Sequence, residues 1–131
     1  MALIVVDASV LIAFLGADDA LHDAAAAALD ESENDDLVMG ATTFLELLVG
    51  PYRRGERHAE TVKEFVRSLP LRVEPVTAGI VDAAARLRAR HRALTVPDAL
   101  TLAVADAVKA DVVLTADRRW RTVSPRVRVV A

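Results

Sequence analysis

The stretch VVDASVLIAFLG, residues 5–16, decides how the chain is read. It continues LIVV at 3–6, a short, β-branched, wholly apolar run of the kind that forms a strand buried on both faces. A helix starting near Ser9 follows at once, and Asp7 stands at the join. An unpaired carboxylate in apolar surroundings is among the costliest things a fold can hold. Asp7 therefore needs a reason.

Working outward, VVLT at 112–115 repeats the strand pattern, VRVV at 127–130 is a weaker copy, and LVMG at 37–40 and LRVEPV at 71–76 are further short strands. Between them the apolar period changes. Leu21, Ala24, Ala25, Ala28 and Leu29 make one helical stripe, and Val62, Phe65, Val66 and Leu69 another. PDALTLAVADAVKA at 97–110 is apolar nearly all round, which predicts an interior helix with Pro97 in its first turn. Strands alternating with helices of this length predict an α/β fold, a parallel central sheet sandwiched by helices. The 131 residues suffice for one domain, 1–131, and not for two separate cores.

There is no cysteine, so disulfides and thiolate metal sites are excluded and a reducing cytoplasm is the expected setting. No run reaches the roughly 18 apolar residues of a membrane span. The net charge of −3 conceals a split: residues 1–50 carry ten Asp or Glu and no Lys or Arg, while residues 51–131 carry nine acids and sixteen bases. A part that attracts cations beside a part that attracts anions is what a metal-using enzyme of nucleic acids requires, although solvated surfaces also produce such splits.

Ligands of open parallel sheets bind beyond the carboxyl ends of the strands. Asp7 follows LIVV and Asp117 follows VVLTA, so both fall at that edge. Glu46, in TTFLELLVG, and Asp98, after Pro97, fall near helix starts. Each has a bland account. Asp7 and Asp117 suit caps or turns, and Thr43 with Glu46, or Thr95 with Asp98, has capping-box spacing. Gathered in one cleft, however, such charges repel by about 4 kcal/mol per pair at about 4 Å and an effective dielectric of 20. Raised pKa values or a cation must offset that, and oxygen ligands suit Mg²⁺ or Mn²⁺.

Asp7 in VVDASVL, Glu46 in TTFLELL, Asp98 in VPDALTLAVA and Asp117 in LTADRRW, in that order, resemble the acidic set of PIN-domain ribonucleases, and most closely that of VapC-type toxins of type II toxin–antitoxin pairs. The resemblance covers essentially the whole chain. It implies an endoribonuclease dependent on Mg²⁺ or Mn²⁺, with these four residues as the catalytic and metal-binding acids and Ser9 and Thr115 as supporting polar residues. It also implies hydrolysis of RNA by metal-activated water, a structured RNA target such as tRNA or rRNA, inhibition by a small cognate antitoxin, and a homodimer. Pro97 departs from the pattern, in which a tyrosine often precedes the third acid.

An acidic cleft repels RNA, so basic residues must supply the attraction. Arg118, Arg119 and Arg121 are the candidates, with Arg126 and Arg128 close in sequence. Trp120 reads as core, with stacking on a base as the alternative. Arg86, Arg88, Arg90 and Arg92 read as a solvated helix face, and His22, His58 and His91, which lack metal spacing, as surface. A phosphatase of the haloacid dehalogenase type wants a second Asp where Ser9 stands, a receiver-like phosphoacceptor has another spacing, and no Gly-rich phosphate loop is present. The rival from another class is a catalytically silent PIN-like module that only binds protein.

Overall fold

A computed structural model describes residues 1–131 and contains a five-stranded, wholly parallel sheet. The elements run β1 (Leu3–Val6), α1 (Ala8–Leu15), α2 (His22–Glu31), β2 (Asp36–Gly40), α3 (Ala41–Arg54), α4 (Glu56–Ser68), β3 (Leu71–Glu74), α5 (Ala78–Arg90), α6 (Val96–Ala107), β4 (Val112–Thr115), a 3₁₀ turn (Arg118–Thr122) and β5 (Val127–Val129). Every strand expected from the apolar runs is present. The strand order is β3-β2-β1-β4-β5, so β1 and β4 form the centre and the order reverses between them. Val5 pairs with Val38 of β2 on one side and Val113 of β4 on the other.

The strict alternation of β1 divides two cores. Ile4 and Val6 face Val10, Leu11, Ala25, Leu47 and Val66 from α1 to α4. Val5 faces the other way, onto Ile80, Ala84, Leu102, Val104 and Trp120 from α5, α6 and the 3₁₀ turn. All three β1 residues are at most 1% exposed, the reason the run had to be apolar on both faces. Helix α6 presents Ala99, Leu102, Ala103, Val104 and Ala105 to that core. Trp120 is 1% exposed and is core, as read.

Two glycines are dictated by space or conformation. Gly40 joins β2 directly to α3, and a Cβ there would stand 3.1 Å from Val104 Cγ2. Gly55 breaks α3 from α4 at φ +142, which L side chains rarely adopt.

Three local readings change. Helix α5 ends at Arg90, so Arg92 lies beyond it and cannot pair with Arg88 at helical spacing. Helix α2 extends through Glu31, so the acidic stretch DESENDD at 30–36, which reads as a solvated loop, begins inside the helix. His22 is half-buried and not free surface: its ring stacks on Phe14 at 6.1 Å, and Nδ1 lies 3.2 Å from the Ala13 carbonyl. No helix is long and apolar enough to cross a membrane.

Candidate functional site

β1 and β4 flank the point where the strand order reverses, where open α/β sheets leave a crevice. Asp7 is the first residue after β1. It holds the N-cap position of α1 with an extended backbone, but its carboxylate makes no cap hydrogen bond. Instead the Ser9 hydroxyl donates to Oδ2 at 2.6 Å and the Thr115 hydroxyl donates to the same oxygen at 3.0 Å. Each hydroxyl also accepts a backbone bond, Ser9 Oγ from Ala116 N–H and Thr115 Oγ1 from Asp117 N–H. The capping account of Asp7 is therefore wrong. Its carboxylate is pinned by two neighbouring segments, with Oδ1 left out of the hydroxyl clamp.

The residue is 8% exposed. Burial pushes its carboxyl up from the ordinary value, the bonds from Ser9 and Thr115 oppose this, and the charge of Asp98 pushes it further up.

Glu46 lies in the second turn of α3. Because α3 begins at Ala41, Thr43 is inside the helix and cannot cap it. The Thr43 hydroxyl is buried instead, 3.5 Å from that of Thr101 on α6. The capping-box account of Glu46 thus fails, since the true N-cap is Gly40. Partial burial raises the Glu46 carboxyl, and the charges of Asp7 and then Asp98 raise it further.

Asp98 does have its box. Thr95 Oγ1 accepts from Asp98 N–H at 3.3 Å, and Asp98 Oδ2 accepts from Thr95 N–H at 3.0 Å. The box fixes the carboxylate without removing its charge from the cleft, as its effect on Asp7 and Glu46 requires. Capping and a functional role are not alternatives here.

Asp117 behaves differently. It caps the 3₁₀ turn by accepting from Arg119 N–H, and its carboxylate takes the Arg119 guanidinium at 2.6 Å from Nη2 and 3.0 Å from Nε. That hydrogen bond is the main cause that holds its carboxyl below the ordinary value. Trp120 Nε1 is buried without a partner at hydrogen-bond geometry, yet its N–H is near enough to Asp117 to add slightly to this lowering.

Asp7, Glu46 and Asp98 therefore form a mutually repelling set, and Asp117 stands beside it already neutralised. No three His, Asp or Glu side chains are gathered at the spacing needed to hold one ion directly. The donor chemistry nevertheless fits Mg²⁺ or Mn²⁺. Mg²⁺ binds through one or two carboxylates and keeps several waters, and the electrostatic strain on Asp7 and Glu46 is of the kind a cation relieves.

Among the arginines, Arg118, Arg119 and Arg121 are exposed next to the site. Arg126 is not with them. It precedes β5, at the opposite edge of the sheet, and donates to Asp106 near the far end of α6 at 2.7 Å. A groove of about 680 Å³ runs beside Glu46, lined by Ile12, Leu15, Leu47, Pro51 and Val62 among others.

The sequence profile of the PIN domain matches residues 4–124. The chain belongs to the PIN-domain family. No curated protein matched the sequence. Among solved structures, a Mycobacterium tuberculosis toxin, VapC20, described as cleaving the Sarcin-Ricin loop, is similar at 28% identity with TM-score 0.77, over 91% of this chain and 93% of that one. A toxin–antitoxin complex from Klebsiella pneumoniae matches at 21% identity and TM-score 0.78, over 100% and 98%. FitAcB from Neisseria gonorrhoeae matches at 19% and 0.76, over 98% and 96%. In this PIN domain Asp7 and Asp117 follow β1 and β4, and Glu46 and Asp98 lie in the early turns of α3 and α6, at the elements expected for them, but the sequence reading missed the Arg119–Asp117 pair. Its only signal was an arginine two residues after a turn aspartate.

Proposed function

We propose that this PIN domain is an endoribonuclease dependent on Mg²⁺ or Mn²⁺ and the toxin of a toxin–antitoxin pair. The observation that carries the reading is Asp7, a buried carboxylate clamped by Ser9 and Thr115 in the crevice at the centre of the sheet and crowded electrostatically by Asp98. Asp7, Glu46, Asp98 and Asp117 would hold the ion in this reading. A bound ion of this kind acidifies water and neutralises charge on a phosphate during hydrolysis. The protein's own groups do the rest. Ser9 and Thr115 fix the Asp7 carboxylate, Thr95 fixes Asp98, and Arg118, Arg119 and Arg121 attract the RNA backbone.

The substrate class follows from the same reading. The similar VapC20 is described as cleaving the Sarcin-Ricin loop, which makes a ribosomal stem-loop the first RNA to test and tRNA the second. Similar solved structures are toxin–antitoxin complexes, and a small antitoxin is the proposed inhibitor of this chain too. Helix α3 offers it an exposed apolar stripe, Leu45, Val49 and Tyr52, beside the groove that reaches Glu46. A homodimer and a cytoplasmic location belong to the same proposal.

The test is cleavage of these RNAs by the purified protein in Mg²⁺, against Asp98→Asn. Cleavage leaving 5′-phosphate and 3′-hydroxyl ends, and lost in the variant, is the expected result; 2′,3′-cyclic phosphate ends would overturn the mechanism. The silent-module reading draws on Asp117, whose carboxylate is already taken up by Arg119, and expects no cleavage of any RNA.

A further inference from the structure

We propose that Arg119 is an internal counter-ion that withholds Asp117 from the metal site, and that a phosphate group of the RNA backbone is what draws it away. The inference rests on the metal-site reading above and adds a device to it. Three observations carry it. First, Arg119 occupies both oxygens of Asp117, with Nε within 3.0 and 3.2 Å of Oδ1 and Oδ2 and Nη2 2.6 Å from Oδ2. A carboxylate held in such a fork has both oxygens engaged and its charge largely offset by the guanidinium, which weakens its pull on a cation. Second, the pair is local and surface-exposed, 64% for the arginine side chain and 24% for the aspartate, so opening it disturbs no core. Third, Trp120 Nε1, buried beneath the same turn, lacks a partner. Its N–H is already near enough to Asp117 to favour the charged carboxylate, and it does so with or without the guanidinium.

A guanidinium binds phosphate with the same fork that it offers a carboxylate, so an RNA phosphate at the cleft competes for Arg119 with Asp117 on equal chemical terms. When the phosphate wins, a cation-attracting carboxylate is released just where the bound backbone has added negative charge. Metal and RNA then bind cooperatively, each raising the affinity of the other by the same factor. Asp7, Glu46 and Asp98 give the metal a weak site without RNA, and the fourth acid strengthens it only when substrate is present.

The experiment is a double-mutant cycle on Mn²⁺ affinity, followed by water-proton relaxation, in the full chain carrying Arg119→Ala, Asp117→Asn or both, with folding checked by circular dichroism. An exposed ion pair of this type corresponds to an effect of roughly two- to fivefold. Arg119→Ala is expected to tighten Mn²⁺ binding by that factor. Asp117→Asn is expected to weaken binding clearly in the Arg119→Ala background and little in the wild type. Equal effects of Asp117→Asn in both backgrounds would make Arg119 a mere local charge and overturn the proposal. Adding a phosphorothioate RNA oligonucleotide should raise wild-type Mn²⁺ affinity and narrow its gap to Arg119→Ala; an unchanged gap would overturn release by phosphate. If no form binds Mn²⁺ with or without the oligonucleotide, the metal-site reading itself has failed and this inference falls with it.

Discussion

Thr115 donates a hydrogen bond to Asp7 Oδ2 across 108 positions of sequence, joining the end of β4 to the residue that follows β1. Ser9 donates to the same oxygen, so Asp7 is held in place by two hydroxyls although nothing in the chain neutralises it. Burial and Asp98 both favour its neutral form.

That arrangement fixes the sign of a pH effect. Asp7 and Glu46 have carboxyls raised in the folded state, so between their unfolded and folded values the native protein binds more protons than the unfolded chain. Their ionisation therefore destabilises the metal-free fold at neutral pH, and the penalty lifts as pH falls through the folded values. Thermal unfolding in EDTA should show the wild type gaining on Asp7→Asn as pH is lowered from neutrality through the raised folded value of Asp7. Asparagine still accepts from Ser9 and Thr115, so Asp7→Asn should be the more stable form at pH 7. A wild type that only loses ground on acidification would contradict this.

Thr95→Ala removes the acceptor for Asp98 N–H and should cost about 1 kcal/mol in a urea titration. The reciprocal bond from Thr95 N–H to Asp98 Oδ2 uses backbone and survives. Metal affinity should accordingly fall less than in Asp98→Asn.

Gly40→Ala tests the close approach of β2 and α6. A methyl group would meet Val104 Cγ2 at 3.1 Å between two fully buried segments, and overpacking of this kind costs about 1–3 kcal/mol. Gly50→Ala, where nothing lies within 4 Å, is the control and should be neutral or slightly stabilising.

Arg118 has an exposed side chain with no ion-pair partner in the chain. If it contacts phosphate, Arg118→Ala should weaken binding of single-stranded RNA and flatten the plot of log affinity against log salt by about 0.7. The same substitution at Arg126, tied to Asp106 at the other edge of the sheet, should leave the slope unchanged.

The sequence disclosed the architecture because short, β-branched apolar runs such as LIVV and VVLT suit strands buried on both faces, and their twofold alternation onto two cores follows from that burial. It made Asp7 and Asp117 candidates because strand ends are where parallel sheets bind their ligands, and Glu46 and Asp98 because helix starts meet at the same edge. It did not disclose what holds those acids. Thr43 has the spacing of a cap for Glu46, but the helix starts at Ala41, two residues earlier, running directly out of β2 through Gly40, which packs closely on Val104. The hydroxyls of Ser9 and Thr115 meet only because β1 and β4 are neighbours, a pairing that local sequence does not encode. Arg126 sits close to Arg121 in sequence and at the other edge of the sheet in space, because the segment between them carries the chain back to the edge where β5, parallel to β4, begins.

The central claim is that Asp7 and Asp98 hold a divalent cation, and Mn²⁺ titration followed by water-proton relaxation measures it without any choice of RNA. Asp98→Asn is the decisive variant, since asparagine can still accept from Thr95 N–H and so preserve the start of α6. The account predicts that the wild type binds Mn²⁺ and that Asp98→Asn and Asp7→Asn, both folded by circular dichroism, bind it markedly less. Wild-type binding that is absent, or equal in all three proteins, would contradict it.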